Sequence, residues 1–357
     1  MCGIVGYIGK KSAAPILLNG LKRLEYRGYD SAGISVIVDS RIEQVKAKGK
    51  LSVLSEILEN KPVMSNMGIA HTRWATHGAP SNQNSHPHSD CRNEFSLVHN
   101  GIIENYLELK KELEEKGHRF KSETDTEVLV HLIEELYNGD LVQAVIDTLK
   151  RVEGSYGIGV ISSKEPDKII AARQDSPLVI GRSDNGNFIG SDIPAFLHFT
   201  RYVQHIKDRE IVIITGDDVK IMDFDRNQVQ RPITKVLWNA GMAQKSGFKH
   251  FMLKEIFEQP KVINDVLKGR LSGNGVEIEE FHISDQEINK LNKIVITACG
   301  TAYYAGMIGK YFIEEFTRIP VEIDVASELR YRNPVIDENT LMIAISQSGE
   351  TADTLAS

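Results

Sequence analysis

The chain opens on Met1-Cys2-Gly3-Ile4-Val5-Gly6-Tyr7-Ile8. From Gly3 onward the residues are small or apolar. That pattern predicts a strand over Gly3–Ile8, buried on both faces. The basic Lys10–Lys11 follows the apolar run instead of preceding it, the reverse of a secretory leader. The small residue at position 2 favours removal of Met1. Cys2 would then carry a free α-amine with a reference pKa of about 7.7–8.0. Its thiol has a reference pKa of about 8.5. One residue would supply nucleophile and base together. Gly3 gives it slack and the buried strand gives it an anchor.

Outward from this strand, short β-type runs alternate with helices. Strands are expected at Ala32–Val38, Met67–Arg73, Phe95–His99, Ser155–Ser162, Lys168–Ala172, Phe188–Gly190 and Glu210–Thr215. Helices are expected at Ala14–Glu25, Tyr106–Lys116, Thr124–Tyr137 and Leu141–Val152. Short turns such as Val38-Asp39-Ser40-Arg41 imply antiparallel sheets, and the intervening helices imply an α+β layered domain over 2–225. The stretch 226–248 is polar and small and reads as a linker.

The grammar changes after it. Lys249–Leu271 reads as a long amphipathic helix, with Lys254, Glu255, Glu258 and Lys261 on a solvated face. Lys293–Thr297, Val321–Val325 and Leu341–Ile345 read as buried strands around the helix Tyr303–Phe316. This βαβ order implies a parallel, doubly wound α/β segment over 249–357. The overall class is α/β. The last helix is cut at Ser357, so a fragment of a longer protein is expected.

Net charge is −7 over 357 residues, with 25% charged and 41% hydrophobic residues. A broad nucleic-acid-binding face is not expected at this charge. No apolar run approaches the roughly 18 residues of a membrane span. Three cysteines without a CxxC spacing fit a reducing, cytoplasmic setting.

Three further segments bear on Cys2. They are Leu24-Glu25-Tyr26-Arg27-Gly28-Tyr29-Asp30-Ser31-Ala32-Gly33, His71-Thr72-Arg73-Trp74-Ala75-Thr76-His77-Gly78 and Val98-His99-Asn100-Gly101-Ile102-Ile103. Each has a plainer reading. Arg73 could serve a surface ion pair, Asn100-Gly101 a hairpin turn, and Asp125 a helix N-terminus. Together with Cys2 the segments resemble the class II, N-terminal-nucleophile glutamine amidotransferases. In detail they resemble the glutamine–fructose-6-phosphate aminotransferase family, over the whole chain.

The resemblance implies a four-layer αββα domain and a set of roles. Cys2 attacks the glutamine side-chain amide. Asn100 and the Gly101 N–H form the oxyanion hole. Arg27 and Gly28 lie near the catalytic amine. Arg73 holds the glutamine α-carboxylate as a bidentate donor, and Asp125 holds the α-ammonium. Trp74, Thr76 and His77 complete the glutamine site, with Trp74 and Tyr29 near the route taken by ammonia.

Cys299-Gly300-Thr301-Ala302 and Ser346-Gln347-Ser348-Gly349-Glu350-Thr351 each follow an expected strand and open a helix, where a doubly wound sheet binds phosphates. They resemble a sugar isomerase (SIS) domain. The match implies that Cys299, Gly300, Thr301, Ser346, Gln347, Ser348 and Thr351 hold the phosphate of fructose 6-phosphate. The activity implied is ammonia transfer from glutamine to that sugar, giving glucosamine 6-phosphate and glutamate. A fragment would keep the glutaminase half. A stand-alone glutaminase and a non-catalytic sugar-phosphate sensor are the rival readings. No cofactor is implied, and a homodimer is implied at full length. His86-Pro87-His88 with Asp90 and Cys91 hints at zinc, but two further spaced ligands are not evident. The expectation is no metal, with the histidines fixing a loop.

Overall fold

The computed structural model describes residues 2–25, 28, 30–74, 78–237, 248, 250–267, 270–272, 275–276, 283–347, 349 and 351–357. It divides into two compact units, 1–244 and 245–357.

The first unit begins with β1 (Gly3–Gly9), α1 (Ala13–Leu24), β2 (Ser31–Val38), β3 (Arg41–Lys48), α2 (Leu51–Asn60), β4 (Met67–Arg73), β5 (His88–Ser89) and β6 (Phe95–Ile103). Three helices follow: α3 (Tyr106–Glu115), α4 (Glu127–Leu136) and α5 (Leu141–Arg151). Then come β7 (Gly154–Ser162), β8 (Ile169–Gln174), β9 (Val179–Arg182), β10 (Gly186–Gly190), β11 (Tyr202–His205), β12 (Glu210–Ile214), β13 (Val219–Asp223), β14 (Gln228–Val229) and β15 (Ile233–Lys235).

One sheet has the order β15-β11-β9-β10-β1-β4-β2-β3, the other β14-β13-β12-β8-β7-β6-β5. Their ladders are antiparallel. Strand alternation assigns the layers. On β1, Ile4 and Ile8 join Ile69, Val98, Ile161 and Val212 in one apolar cluster contributed by both sheets. Val5 and Tyr7 join Leu17, Leu21 and Leu54 of α1 and α2 in another. Leu97, Ile158 and Ile170 pack with Val128, Leu132 and Val145 of α4 and α5 in a third. The result is helix, sheet, sheet, helix. Each fully buried Leu or Ile contributes roughly 1.5–3 kcal/mol, so a strand buried on both faces needs the uninterrupted apolar composition of β1.

The turn 38–41 closes β2 on β3 through Asp39 and Ser40, both with positive φ (46° and 57°). That is the primed two-residue hairpin geometry. Three differences from expectation have a clear physical cause. The strand expected at Phe95–His99 continues through Asn100-Gly101 to Ile103, because β7 pairs with it along that whole length. The helix expected from Thr124 starts at Glu127, leaving Asp125 on a loop. The stretch expected as linker, 226–248, contains β14 and β15, which extend the two sheets through pairing with β13 and β11.

The second unit holds α6 (Phe251–Leu267), β16 (Leu271–Ser272), β17 (Gly275–Val276), α7 (Asp285–Ile288), β18 (Lys293–Ala298), α8 (Gly300–Thr317), β19 (Val321–Val325), α9 (Ala326–Arg332), β20 (Thr340–Ile345) and α10 (Ala352–Ala356). The sheet β19-β18-β20 is parallel, as a doubly wound segment requires. On α6, Lys254 is buried beside Glu258, at 3.7 Å, instead of standing on a solvated face. Its ammonium tolerates burial because a carboxylate accompanies it. Among the described residues no helix is long and apolar enough to cross a membrane.

Candidate active site

Cys2 sits half-buried just ahead of β1. Pairing of β1 with β4 sets Gly3 opposite Thr72. The chain leaving β4 therefore passes the thiol. The Trp74 N–H donates to Cys2 Sγ at 3.2 Å. Burial pushes the thiol pKa up, against the pull of the Trp74 N–H and the Arg73 charge. A thiol so placed needs a base.

Gly28 lies close by. A Cβ there would lie 2.7 Å from the Arg73 carbonyl carbon and 3.0 Å from the Trp74 nitrogen. Only glycine lets the two backbones approach this closely. The Thr72 hydroxyl donates to the Gly28 carbonyl and ties Gly28 to β4.

From the other sheet, β6 brings Asn100. Its Nδ2 donates to the Cys2 carbonyl at 3.2 Å. Its Oδ1 lies 3.0 Å from His71 Nε2, which also faces the His99 carbonyl at 3.1 Å. A ring nitrogen between two acceptors must carry the proton. His71 thereby fixes which end of the Asn100 amide is NH2. Gly101 follows with φ +131°. A Cβ there would lie 2.0 Å from the Ser155 carbonyl oxygen. Gly101→Ala is expected to cost about 2 kcal/mol or more in stability, read as a lowered urea midpoint at unchanged slope.

Arg73 and Asp125 are both buried. Arg73 Nη2 donates to the Gly78 carbonyl at 3.0 Å, and Asp125 Oδ2 accepts the Ile103 N–H at 2.8 Å. Asn84 clips Ala79 to the loop that carries Asp125. Its Nδ2 donates to the Ala79 carbonyl at 2.8 Å and to Glu123 at 3.0 Å, and its Oδ1 accepts the Glu123 N–H at 3.0 Å. Glu127 accepts the N–H groups of Lys121 and Ser122, fixing the chain ahead of Asp125. Trp74 is half exposed beside Cys2. Arg27, Tyr29, Thr76, His77 and Ser348 lie outside the described residues.

His86 and His88 belong to a buried histidine cluster. His86 stacks on His71 at 4.2 Å and accepts the His99 N–H at 3.3 Å. His88 meets the Thr124 hydroxyl at 3.1 Å. Desolvation, foremost among the causes, holds His71 at about 3 and His86 well below its usual range. In the unfolded chain both rings would protonate near pH 6.5. The unfolded state binds more protons below that value, so these rings stabilise the fold fully above it. The contribution is lost as pH falls toward 3. At pH 5 the loss is about 2 kcal/mol for His71, and His86 adds in the same direction. Urea titrations at pH 7.5 and 5.0 should show the midpoint falling, and equal midpoints would contradict the assignment.

Sequence reading passed over His71, Asn84 and Glu127. Only His71 carried a signal, as a polar interruption of the apolar run Met67-Gly68-Ile69-Ala70. The other two act on backbone far away in sequence.

In the second unit, Ala298 pairs with Ile345. The segments that follow, Cys299 with the first turn of α8 and Ser346-Gln347, therefore leave the same sheet edge side by side. Cys299 caps α8, and Gly300 has φ +60°. Ser346 Oγ accepts the Gly349 N–H at 3.0 Å and lies 3.2 Å from the Thr351 hydroxyl. Gln347 and Thr301 are exposed.

A family model described as a glutamine amidotransferase domain matches residues 71–198, and an SIS domain model matches 287–357. Glutamine–fructose-6-phosphate aminotransferase (isomerizing) of Clostridium tetani is 57% identical over the full chain, and that of Thermus thermophilus is 51% identical over 99% of it. The chain spans 59% and 58% of the length of these relatives. Among solved structures, the glutamine phosphoribosylpyrophosphate amidotransferase of B. subtilis, complexed with ADP and GMP, aligns with a TM-score of 0.58 at 22% identity. The alignment covers 97% of this chain and 69% of that one. It supports the fold. With an amidotransferase domain followed by an SIS segment, the chain is similar over its whole length to the glutamine–fructose-6-phosphate aminotransferases.

Proposed function

We propose that this chain carries the ammonia-releasing half, and part of the sugar-binding half, of an enzyme that moves the amide nitrogen of glutamine to fructose 6-phosphate. The products are glutamate and glucosamine 6-phosphate. The observation that carries the reading is the meeting of Cys2, the Trp74 N–H and the Asn100 amide, contributed by two different sheets.

Once Met1 is removed, the Cys2 α-amine takes the thiol proton, and Sγ attacks the glutamine amide carbon. The oxyanion forms toward Asn100 Nδ2 and the Gly101 N–H. The nitrogen gains a proton and leaves as ammonia. Water then attacks the thioester, freeing glutamate and restoring the thiol. Arg73 takes the α-carboxylate and Asp125 the α-ammonium. Arg27 and Gly28 shape the chain near the amine, while Thr76 and His77 complete the glutamine site. Buried Arg73 and Asp125 carry charges opposite to the two ends of a zwitterion.

Thr301, Ser346, Gln347, Ser348 and Thr351, with the backbone of Cys299 and Gly300, hold the sugar phosphate at the carboxyl edge of the parallel strands. No organic cofactor enters this chemistry. A cytoplasmic location, consistent with the free cysteines, and a homodimer at the relatives' length belong to the same reading.

The test is to give the 357-residue chain amide-labelled glutamine, with and without fructose 6-phosphate. Glutamate and labelled ammonia are expected in both arms. Labelled glucosamine 6-phosphate is expected from the protein at its relatives' length. Absence of glutamate from a chain whose mass shows Met1 removed would overturn the reading. Sugar-phosphate binding without glutamine turnover would favour the sensor.

A further inference from the structure

Cys91 does have metal-binding partners within reach, but they are not its sequence neighbours. Its Sγ lies 3.8 Å from His118 Nδ1 and 3.6 Å from His131 Nδ1, from residues 27 and 40 positions further along the chain. The two Nδ1 atoms are 3.3 Å apart. Glu134 Oε2 lies 3.2 Å from the first and 3.5 Å from the second. All four donor atoms fall within 4.8 Å of one another.

We infer that Cys91, His118, His131 and Glu134 form a structural zinc site. A tetrahedral zinc with Zn–N of about 2.05 Å and Zn–S of about 2.3 Å has N···N edges near 3.3 Å and N···S edges near 3.6 Å. The observed separations match these edges. A thiolate, two imidazoles and a carboxylate form a donor set that suits zinc over calcium or magnesium. Four protein ligands close the tetrahedron and leave no position for substrate, so the role is structural.

The surroundings fit the same reading. His118 Nε2 faces Glu135 at 3.3 Å, and His131 Nε2 faces Glu127 at 3.6 Å. Glu135 behind His118 directs that ring's proton to Nε2 and leaves its Nδ1 lone pair pointing at the cluster. The Arg119 N–H points to Cys91 Sγ at 3.3 Å. The rings are largely buried, with His131 only 1% exposed, while exposed Cys91 leaves a path for the ion.

A hydrogen-bonded arrangement in which both rings donate to Glu134 Oε2 crowds two N–H groups into a 3.3 Å gap. A divalent cation uses all four lone pairs, and binding releases the thiol proton to solvent. The site would staple the turn after β5 and the chain after α3 to α4. Through Glu127 it also borders the loop that carries Asp125.

The experiment uses the purified 357-residue chain. Elemental analysis after gel filtration should find about one zinc per chain. A strong chelator should remove it and lower the melting temperature. Cobalt added to the stripped protein should give a thiolate charge-transfer band. Cys91→Ser should abolish that band while Cys299→Ser keeps it. His118→Ala should weaken zinc binding at least tenfold. The cobalt and chelator arms on unmodified protein hold even if a variant misfolds. A chain that takes up neither metal, and whose melting is indifferent to chelator, would overturn the site. So would zinc retained by a folded Cys91→Ser, His131→Ala double variant.

Discussion

Cys2→Ala should reduce glutamate release from glutamine by about 10⁴–10⁶, leaving the fold intact. The size of the effect follows from the double role assigned to this residue. In the proposed mechanism its sulfur forms the thioester and its α-amine is the base, so the alanine variant keeps the amine but has nothing for it to activate. The fold should survive because the thiol lies half-buried ahead of β1 and contributes no side chain to the apolar clusters. Its contacts are with the Trp74 backbone. A melting temperature within a degree or two of wild type would confirm this. Cys2→Ser tests the chemistry more finely. Geometry is retained, yet a hydroxyl is a far weaker nucleophile than a thiolate, so turnover should fall almost as far. A variant that retains Met1 keeps the thiol and loses the free amine. If it turns over glutamine at the wild-type rate, the base is not the α-amine. Equal activity of Cys2→Ala and wild type would remove the nucleophile altogether.

Much of this site was legible because the chemistry sits on short, apolar, strongly patterned strands. β4 was readable over Met67–Arg73 and β1 nearly so, since strands buried on both faces admit few residue types. Legibility failed where the decisive constraint was non-local. Asn100-Gly101 has the composition of a hairpin turn, and only pairing with β7 keeps it in the strand. The polar 226–248 stretch resembles a linker because β14 and β15 lie at sheet edges, where one side of a strand is solvated. Asp125 was legible as a residue, but the loop that presents it depends on Asn84 and Glu127. Spacing rules caught a hint at Cys91 and then sought its partners nearby, whereas tertiary folding supplies them from α4 and the chain after α3. Neighbour order in the sheets, such as β1 between β10 and β4, leaves no local trace.

Asn100→Ala should lower kcat for glutamine hydrolysis by about 10²–10³ and move KM little, the signature of a donor used mainly in the transition state. The ground-state amide is neutral and gains little from an extra N–H. Charge gathers on the oxygen only as Sγ attacks. A buried amide that is already oriented then stabilises that charge without reorganising. Orientation is where His71 enters. Its ring is held neutral by desolvation and sits 3.0 Å from Asn100 Oδ1. Rotating the Asn100 amide by half a turn would set two donors face to face. His71→Phe should therefore lower kcat by roughly tenfold, through misorientation of a donor that is still present. The double variant decides whether the two act as one unit. If His71 works through Asn100, removing it in the Asn100→Ala background should cost almost nothing further. Additive losses would mean that His71 supports the site by another route, most directly through its stack on His86, and the orienting role would have to be abandoned.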